Sequence, residues 1–237
     1  MAYLNRMRNY LPFETIYVLY ISTDWEGQGW LEKVSQGEDW AKKWHFVPLR
    51  ISAPSFKSMM IDRGEAPSPK FQWCSNFLKG IPFINWLDKL DKSGSWSIAY
   101  AKRQNTTRVK VLSRIEQCEY HGDRQVINPI SEISNANYEK ILEEYNWAKW
   151  PKMSQECAPC INSNLLELAQ MKKDDIDKTN KLEKKIGSSF FPKSRFGNHE
   201  TIIKQYQYVK NHFENFENKF QRDKFNRGCG DIFGCGL

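Results

Sequence analysis

The sequence predicts an α/β fold with a mostly parallel sheet, and three observations carry that prediction. Residues 16–21 (IYVLYI) are an unbroken apolar, β-branched and aromatic run, the pattern of a strand covered on both faces. Further strand-like segments follow at intervals long enough to hold a helix, and strands alternating with helices build parallel sheets. Of the 237 residues, 40% are apolar and 14% aromatic, enough for the core of one large domain or of one domain with an appendage.

The elements follow in order. Residues 2–10 are short and helix-like, ended by Pro12. The first strand stops at the polar cluster Ser22-Thr23-Asp24-Trp25-Glu26, and a helix is expected near 30–44. Residues 46–51 (FVPLRI) form a second strand, with Pro48 pointing to an edge or a bulge. A short helix fits 54–62, and residues 63–69 are a loop. Pro82 suits the first turn of a helix running to about Leu90, with Phe83, Trp86, Leu87 and Leu90 on one face. Residues 96–101 read as a third strand, 106–117 as a helix and 125–128 as a short strand. Ser134 can cap a helix bearing Tyr138, Ile141, Leu142 and Tyr145. A Trp/Pro-rich loop over 146–160 carries Cys157-Ala158-Pro159-Cys160. Helices fit 162–172 and 200–221, and the tail from 228 is glycine-rich. Strands 16–22, 46–51 and 96–101 are expected to neighbour one another in one parallel sheet. Ligands bind beyond the carboxyl ends of such strands, which puts residues 22–26 and 102–108 on one rim.

Composition excludes several classes. No stretch approaches the ~20 apolar residues of a membrane span, and no signal-peptide pattern opens the chain. A cytoplasmic globular protein with no membrane partner is the expectation. The net charge is +7 and uneven: residues 178–237 hold 12 basic and 6 acidic side chains. That excess reads first as a solvated helical face and, more sharply, as a surface for phosphate or nucleic acid. Phe213, Phe216 and Phe220 lie among these charges at helical spacing, which suits core more than base stacking. Six cysteines are too few for a secreted disulfide framework, and four of them fall in close pairs, Cys157/Cys160 and Cys229/Cys235. Such pairs point to metal or redox chemistry.

Residues 68–82 (SPKFQWCSNFLKGIP) resemble the "WCT–x–x–LK–x–x–P" segment of the phosphoadenosine phosphosulfate (PAPS) reductase family, within the adenine-nucleotide α-hydrolase superfamily. Other segments agree in order. Residues 21–25 resemble the family's strand ending in Asp-Thr-Gly, here Ser22-Thr23 with Asp24 beside them. Arg103 and Arg108 resemble the arginine pair of its "G–x–R–x–x–S–x–x–R" segment, one residue short and without the Gly. Asn128-Pro129-Ile130 resembles its "PI" segment, and residues 157–160 its "GC–x–PC". The resemblance implies a three-layer, doubly wound, mostly parallel sheet over residues 1–150 and a helical, cysteine-containing extension over 151–237. The family's Ser-Gly-Gly-x-x-Ser phosphate loop has no counterpart, and residues 1–10 resemble the second half of the helix after it, so an N-terminal truncation is expected.

By this resemblance Ser22, Thr23, Asp24, Lys79, Arg103 and Arg108 would bind the phosphate or sulfate of ATP or PAPS; the plainer alternative for the cations is ordinary surface charge. Cys74 reads as a small buried apolar residue. Cys118 falls at a predicted helix end and receives no role, and His45, His121, His199 and His212 form no ligand spacing. Three readings stay open for the paired cysteines. Cys157, Cys160, Cys229 and Cys235 can share a zinc ion or an iron–sulfur cluster. Cys157 and Cys160 can form a redox pair. Cys235, in a tail resembling that of the thiol-dependent PAPS reductases, can attack sulfate sulfur and be regenerated by a thiol donor. The reactions implied are sulfonucleotide reduction or ATP-dependent sulfur transfer, the latter extending to nucleic-acid modification through the basic C-terminal quarter. A non-enzymatic metal–thiolate interaction module is the alternative.

Overall fold

A computed structural model describes Asn5 and residues 15–68, 71–100, 113–131, 133–144 and 156–212. In chain order the elements are β1 (Tyr17–Ser22), α1 (Trp30–Lys43), β2 (Val47–Ser52), α2 (Phe56–Arg63), α3 (Ile81–Leu90), β3 (Ile98–Ala99), β4 (Arg114–Cys118) and β5 (Arg124–Ile127). Then follow α4 (Asn135–Glu144), α5 (Leu165–Ala169), α6 (Lys173–Ile186) and α7 (Ile202–Asn211). The fold is mixed α/β. Its chain forms two compact units, the first from residues 1–20, 33–51 and 81–152, the second from 21–32, 52–80 and 153–237. No helix among the described residues is long and apolar enough to cross a membrane.

The apolar run at 16–21 becomes strand β1, as expected, but it is not covered on both faces: of β1 only Ile21 is buried, and Tyr17 is exposed. The Val47 amide donates to Ile16 O at 2.9 Å and, further along, the Ala53 amide donates to Ser22 O at 2.8 Å. The bonds advance the same way on both strands, so β1 and β2 are parallel. Helix α1 connects them, with Glu32 in its first turn and Lys42 and Lys43 in its last, the charge order that the helix dipole favours. Ala41, Trp44, Phe46 and Ile141 form the core here, flanked by Ile16, Val18, Trp40 and Ile133.

Two expectations need correction. Strand β3 does not neighbour β1 or β2. It pairs in parallel with β5, and β4 lies antiparallel on the other side of β5 in a separate three-stranded sheet. Residues 114–117, expected at the end of a helix, are strand β4. In a strand, residues two apart share a face, so Arg114 Nε pairs with Glu116 Oε1 at 2.6 Å, and Gln125 Nε2 reaches across from β5 to Glu116 Oε2 at 3.0 Å. Pairing of Ile115 with Val126 across the sheet overrides the local helical pattern. Cys118 therefore ends a strand, three residues before His121.

A buried ion pair ties this sheet to α3. Arg124, 4% exposed, donates through Nε to Asp91 Oδ2 at 2.8 Å and through Nη2 to Asp91 O at 2.7 Å. Its Nη1 pairs with Asp88 Oδ1 at 2.9 Å. Asp91 also accepts from the Ser95 and Trp96 amides, each at 3.0 Å, which fixes the turn leading from α3 to β3.

The second unit is mainly helical. Ser55 caps α2, its hydroxyl accepting from the Ser58 amide, and Gly64 ends the helix at φ 66°. Asn164 and Glu167 close a capping box on α5. Helix α6 packs on α2 and α7, and α5 packs on α7. Met60, Leu168, Ile202 and Val209 are fully buried, each worth roughly 1.5–3 kcal/mol relative to exposure. The rings of Trp25, Phe56 and Trp73 stack in series at 4.8 and 5.6 Å. The expected helix at 162–172 shortens to α5, and the 200–221 helix is described as α7 to Asn211; its Phe213, Phe216 and Phe220 lie outside the described residues.

Candidate functional site

The second unit contains a cleft lined by Thr23, Gln72, Cys74, Lys79, Cys157 and Cys160, with Phe56 and Phe190 among its apolar walls. Each polar group reaches it through local structure that the sequence sets up. Past β1 the chain turns sharply. The Glu26 carboxylate accepts from Ser22 Oγ at 3.0 Å and from the Thr23 amide at 2.8 Å. Asp24 takes a φ of 59°, and its Oδ1 accepts the Phe56 amide at 2.9 Å, satisfying the start of α2. Ser22 and Asp24 are thus used by the turn. Thr23 is 1% exposed, and its Oγ1 has no hydrogen-bond partner among the described residues. A buried hydroxyl left without a partner costs about 1–3 kcal/mol.

A helical turn at Trp73–Ser75 widens into a π-helical turn at Asn76–Gly80, a geometry that recurs at functional sites. It brings Cys74, Ser75, Leu78 and Lys79 to the cleft. Lys79 is 7% exposed, and its Nζ lies 2.8 Å from Glu156 Oε2. Pairing of this kind is what makes a buried ammonium tolerable.

The Cys157-Ala158-Pro159-Cys160 loop contains a cis Ala158–Pro159 peptide. Trp25 holds it from both sides: the Ala158 amide donates to Trp25 O at 3.0 Å, and Trp25 Nε1 donates to Pro159 O at 3.1 Å. Asn162 Nδ2 donates to Gln72 Oε1 at 3.1 Å, linking this loop to the turn that carries Cys74. Arg195 Nη2 donates to Ser163 O at 2.8 Å, and its guanidinium also binds Ile161 O. Burial pushes the Cys160 thiol well above the ordinary cysteine range. The neighbouring Cys157 and Cys74 push the same way, against a weaker pull from the Asn162 amide and Lys79. By exposed surface Cys74, Cys157 and Cys160 are all half-buried.

Of the residues singled out from sequence, Thr23, Lys79, Cys157 and Cys160 meet in this cleft, and Cys74, taken for an apolar filler, lines it with them. Arg103, Arg108, Cys229 and Cys235 lie outside the described residues. Among the described residues no group of three or more His, Cys, Asp or Glu is arranged to hold a metal ion. Glu156 and Arg195 carried no motif that singled them out. No family model, curated protein or solved structure matches the chain.

Proposed function

We propose that the chain binds an adenine nucleotide, PAPS or ATP, with its phosphate or sulfate in the cysteine–lysine cleft, and reduces or transfers sulfur there. The reading rests on the resemblance of residues 68–82 to the PAPS reductase family and on the proposed membership of β1, β2 and their flanking helices in a doubly wound, three-layer core. The observation that carries it is the Thr23 hydroxyl, buried in the cleft with Lys79 and three cysteines and without a hydrogen-bond partner among the described residues. A phosphate or sulfate oxygen would accept from that hydroxyl, and Lys79 would turn from Glu156 toward the anion as a point charge. Arg103 and Arg108 would complete the anion site.

Two reactions share this binding mode. In reduction, a thiolate attacks the sulfate sulfur of PAPS. The bond from sulfur to the phosphate oxygen breaks, adenosine bisphosphate leaves, and a cysteine S-sulfonate remains. A thiol donor then releases sulfite and takes up the cysteine in a mixed disulfide. In transfer, an acceptor oxygen attacks the α phosphate of ATP and pyrophosphate leaves. A cysteine persulfide, loaded by a sulfur donor, then attacks the adenylated carbon and AMP leaves, and a thiol donor cleaves the S–S bond to leave the sulfur on the acceptor. The tail cysteine Cys235 is the proposed nucleophile. Sulfite release from PAPS marks the reductase and pyrophosphate release from ATP marks the transferase; neither product, with either nucleotide and a thiol donor present, contradicts both.

The second reading is a zinc or iron–sulfur centre shared by Cys157, Cys160, Cys229 and Cys235, in which Cys160 loses its proton on binding. The two-residue spacing at one wall of the cleft favours it. Elemental analysis of anaerobically purified protein tests it. One equivalent of metal lost in each Cys→Ser variant supports the centre, and metal-free protein contradicts it.

A further inference from the structure

The first unit carries a second cysteine constellation, away from any motif in the sequence. Cys118 Sγ lies 2.9 Å from His121 Nδ1, and His121 Nε2 lies 2.7 Å from Tyr100 Oη. We infer that Cys118 is a nucleophilic thiol with His121 as its base and Tyr100 as the residue that positions the imidazole, and that it exchanges with small disulfides.

The geometry is that of an activated nucleophile: a sulfur within hydrogen-bond reach of a base, and the base oriented by a third group. In the tautomer that the proposal requires, Nε2–H is donated to Tyr100 Oη and Nδ1 presents its lone pair to the thiol. The proton can then pass from sulfur to Nδ1 with no change at Nε2. His121 is 5% exposed, so the base is held out of water, whereas Cys118 is half-buried. Phe83 of α3 packs edge-on to the imidazole with ring centroids 6.3 Å apart, which limits its rotation.

The segment is braced as well. The Asp123 amide donates to Cys118 O at 3.0 Å, and the Gly122 amide to Glu119 O at 3.1 Å. Arg124 Nη1 donates to His121 O at 3.1 Å. Gly122 sits at φ 62°, and a Cβ there would meet Arg124 Nη1 at 2.8 Å, so glycine lets the guanidinium approach. The loop between β4 and β5 thus holds the base in place through its backbone.

Thiol–disulfide exchange is the chemistry that these three groups complete by themselves. The Cys118 proton moves to His121 Nδ1 as Sγ attacks one sulfur of the disulfide RS–SR. The S–S bond breaks, an Sγ–S bond forms, and RS⁻ leaves to take the proton from Nδ1. Cys118 is oxidised as the departing sulfur is reduced, and the step reverses with excess thiol.

The test uses the full chain, with oxidised glutathione and iodoacetamide as probes and peptide-resolved mass spectrometry at neutral pH. Cys118 should react about tenfold or more faster in the native protein than in the same chain unfolded in urea. It should form the mixed disulfide, and His121→Gln should return its rate to the unfolded value. Tyr100→Phe should slow Cys118 several-fold, and ¹⁵N shifts of the His121 ring should change from the Nε2–H form to a mixture of tautomers. Equal rates at Cys118 in native and unfolded chains would overturn the proposal, even if the His121 variant fails to fold. So would a native rate that His121→Gln leaves unchanged.

Discussion

Lys79 Nζ and Glu156 Oε2 lie 2.8 Å apart, joining the π-helical turn to the approach of the Cys157–Cys160 loop. Glu156 is the more exposed partner, with 25% of its side chain accessible against 9% for Lys79. Breaking the pair from the carboxylate side removes a counter-charge from a buried ammonium. Glu156→Gln should cost about 1–3 kcal/mol in urea unfolding, less than a fully buried pair because Glu156 meets water. The same variant should tighten anion binding, since the Glu156 carboxylate no longer competes for Lys79. Lys79→Met should abolish that gain. Unchanged stability in Glu156→Gln would show that the pair does not hold the two segments together.

Acid should weaken the first unit through Asp91. Burial alone would raise its carboxyl, but the Arg124 guanidinium, the Trp96 and Ser95 amides and the Ser93 hydroxyl outweigh burial and hold it well below the ordinary Asp range. A depressed folded value means that the stabilisation is complete above the unfolded pKa, ~3.9, and is lost as pH falls through the folded one. Denaturation midpoints between pH 6 and pH 2 should therefore fall more steeply in the wild type than in Asp91→Asn. The variant itself should be several kcal/mol less stable at neutral pH, about the 3–5 expected when a buried pair loses one member. Parallel curves for the two proteins would contradict this account.

Glu183 has the opposite sign. Burial raises its carboxyl, partly opposed by the Phe190 and Ile202 amides that it accepts at 2.8 and 2.9 Å. Its stabilising effect is greatest below the unfolded value and falls as pH rises through the folded one. Glu183→Leu should cost about 2–4 kcal/mol, because two buried amides lose their acceptor. Glu183→Gln should cost less and flatten the pH dependence of stability above about pH 4.5. Equal losses in both variants would mean that packing, and not the hydrogen bonds, is what Glu183 supplies.

Gly197 permits a close approach that no other residue allows. It sits at φ 74°, and a Cβ there would lie 2.7 Å from the Tyr208 ring. Gly197→Ala should destabilise the second unit by about 2–4 kcal/mol, combining overpacking with the left-handed backbone cost. In a Tyr208→Ala background the added cost should drop to about 1–2 kcal/mol, the backbone part alone. A full penalty persisting in that background would place the strain elsewhere.

Parts of this fold were plain in the sequence for physical reasons. An apolar run such as residues 16–21 has one economical use, and Pro82 suits the first turn of α3, which runs to Leu90 as expected. Helix α6 was missed because most of its 14 residues are polar. Its buried face at Asp175, Ile176, Thr179, Leu182 and Glu183 follows helical spacing only if Asp175, Thr179 and Glu183 count as interior. Strand β4 was misread because its pairing with β5 is non-local. At the site, Lys79 and Cys74 were linked by their own helical turn and Cys157 and Cys160 by their spacing. Nothing local says that these two groups share a cleft, since Trp25, Gln72 and Asn162 bring them together from distant segments. Cys118 was given no nearby Cys or His from the sequence; His121, three residues on, meets it only because Cys118 ends a strand, and Tyr100 joins them from the end of another.

The most direct test of the central claim is calorimetric titration of PAPS and ATP into wild-type protein and Thr23→Val. The substitution removes the unpartnered hydroxyl and keeps the side-chain volume, so the free protein should become more stable by about 1 kcal/mol. If the hydroxyl binds the nucleotide's anion, affinity should fall about tenfold, as expected for one lost hydrogen bond to a charged group. Saturable binding in the wild type, weakened in a variant that is at least as stable, is the predicted result. No binding of either nucleotide to the wild type, or equal affinity in the two proteins, would contradict the nucleotide reading of the cleft.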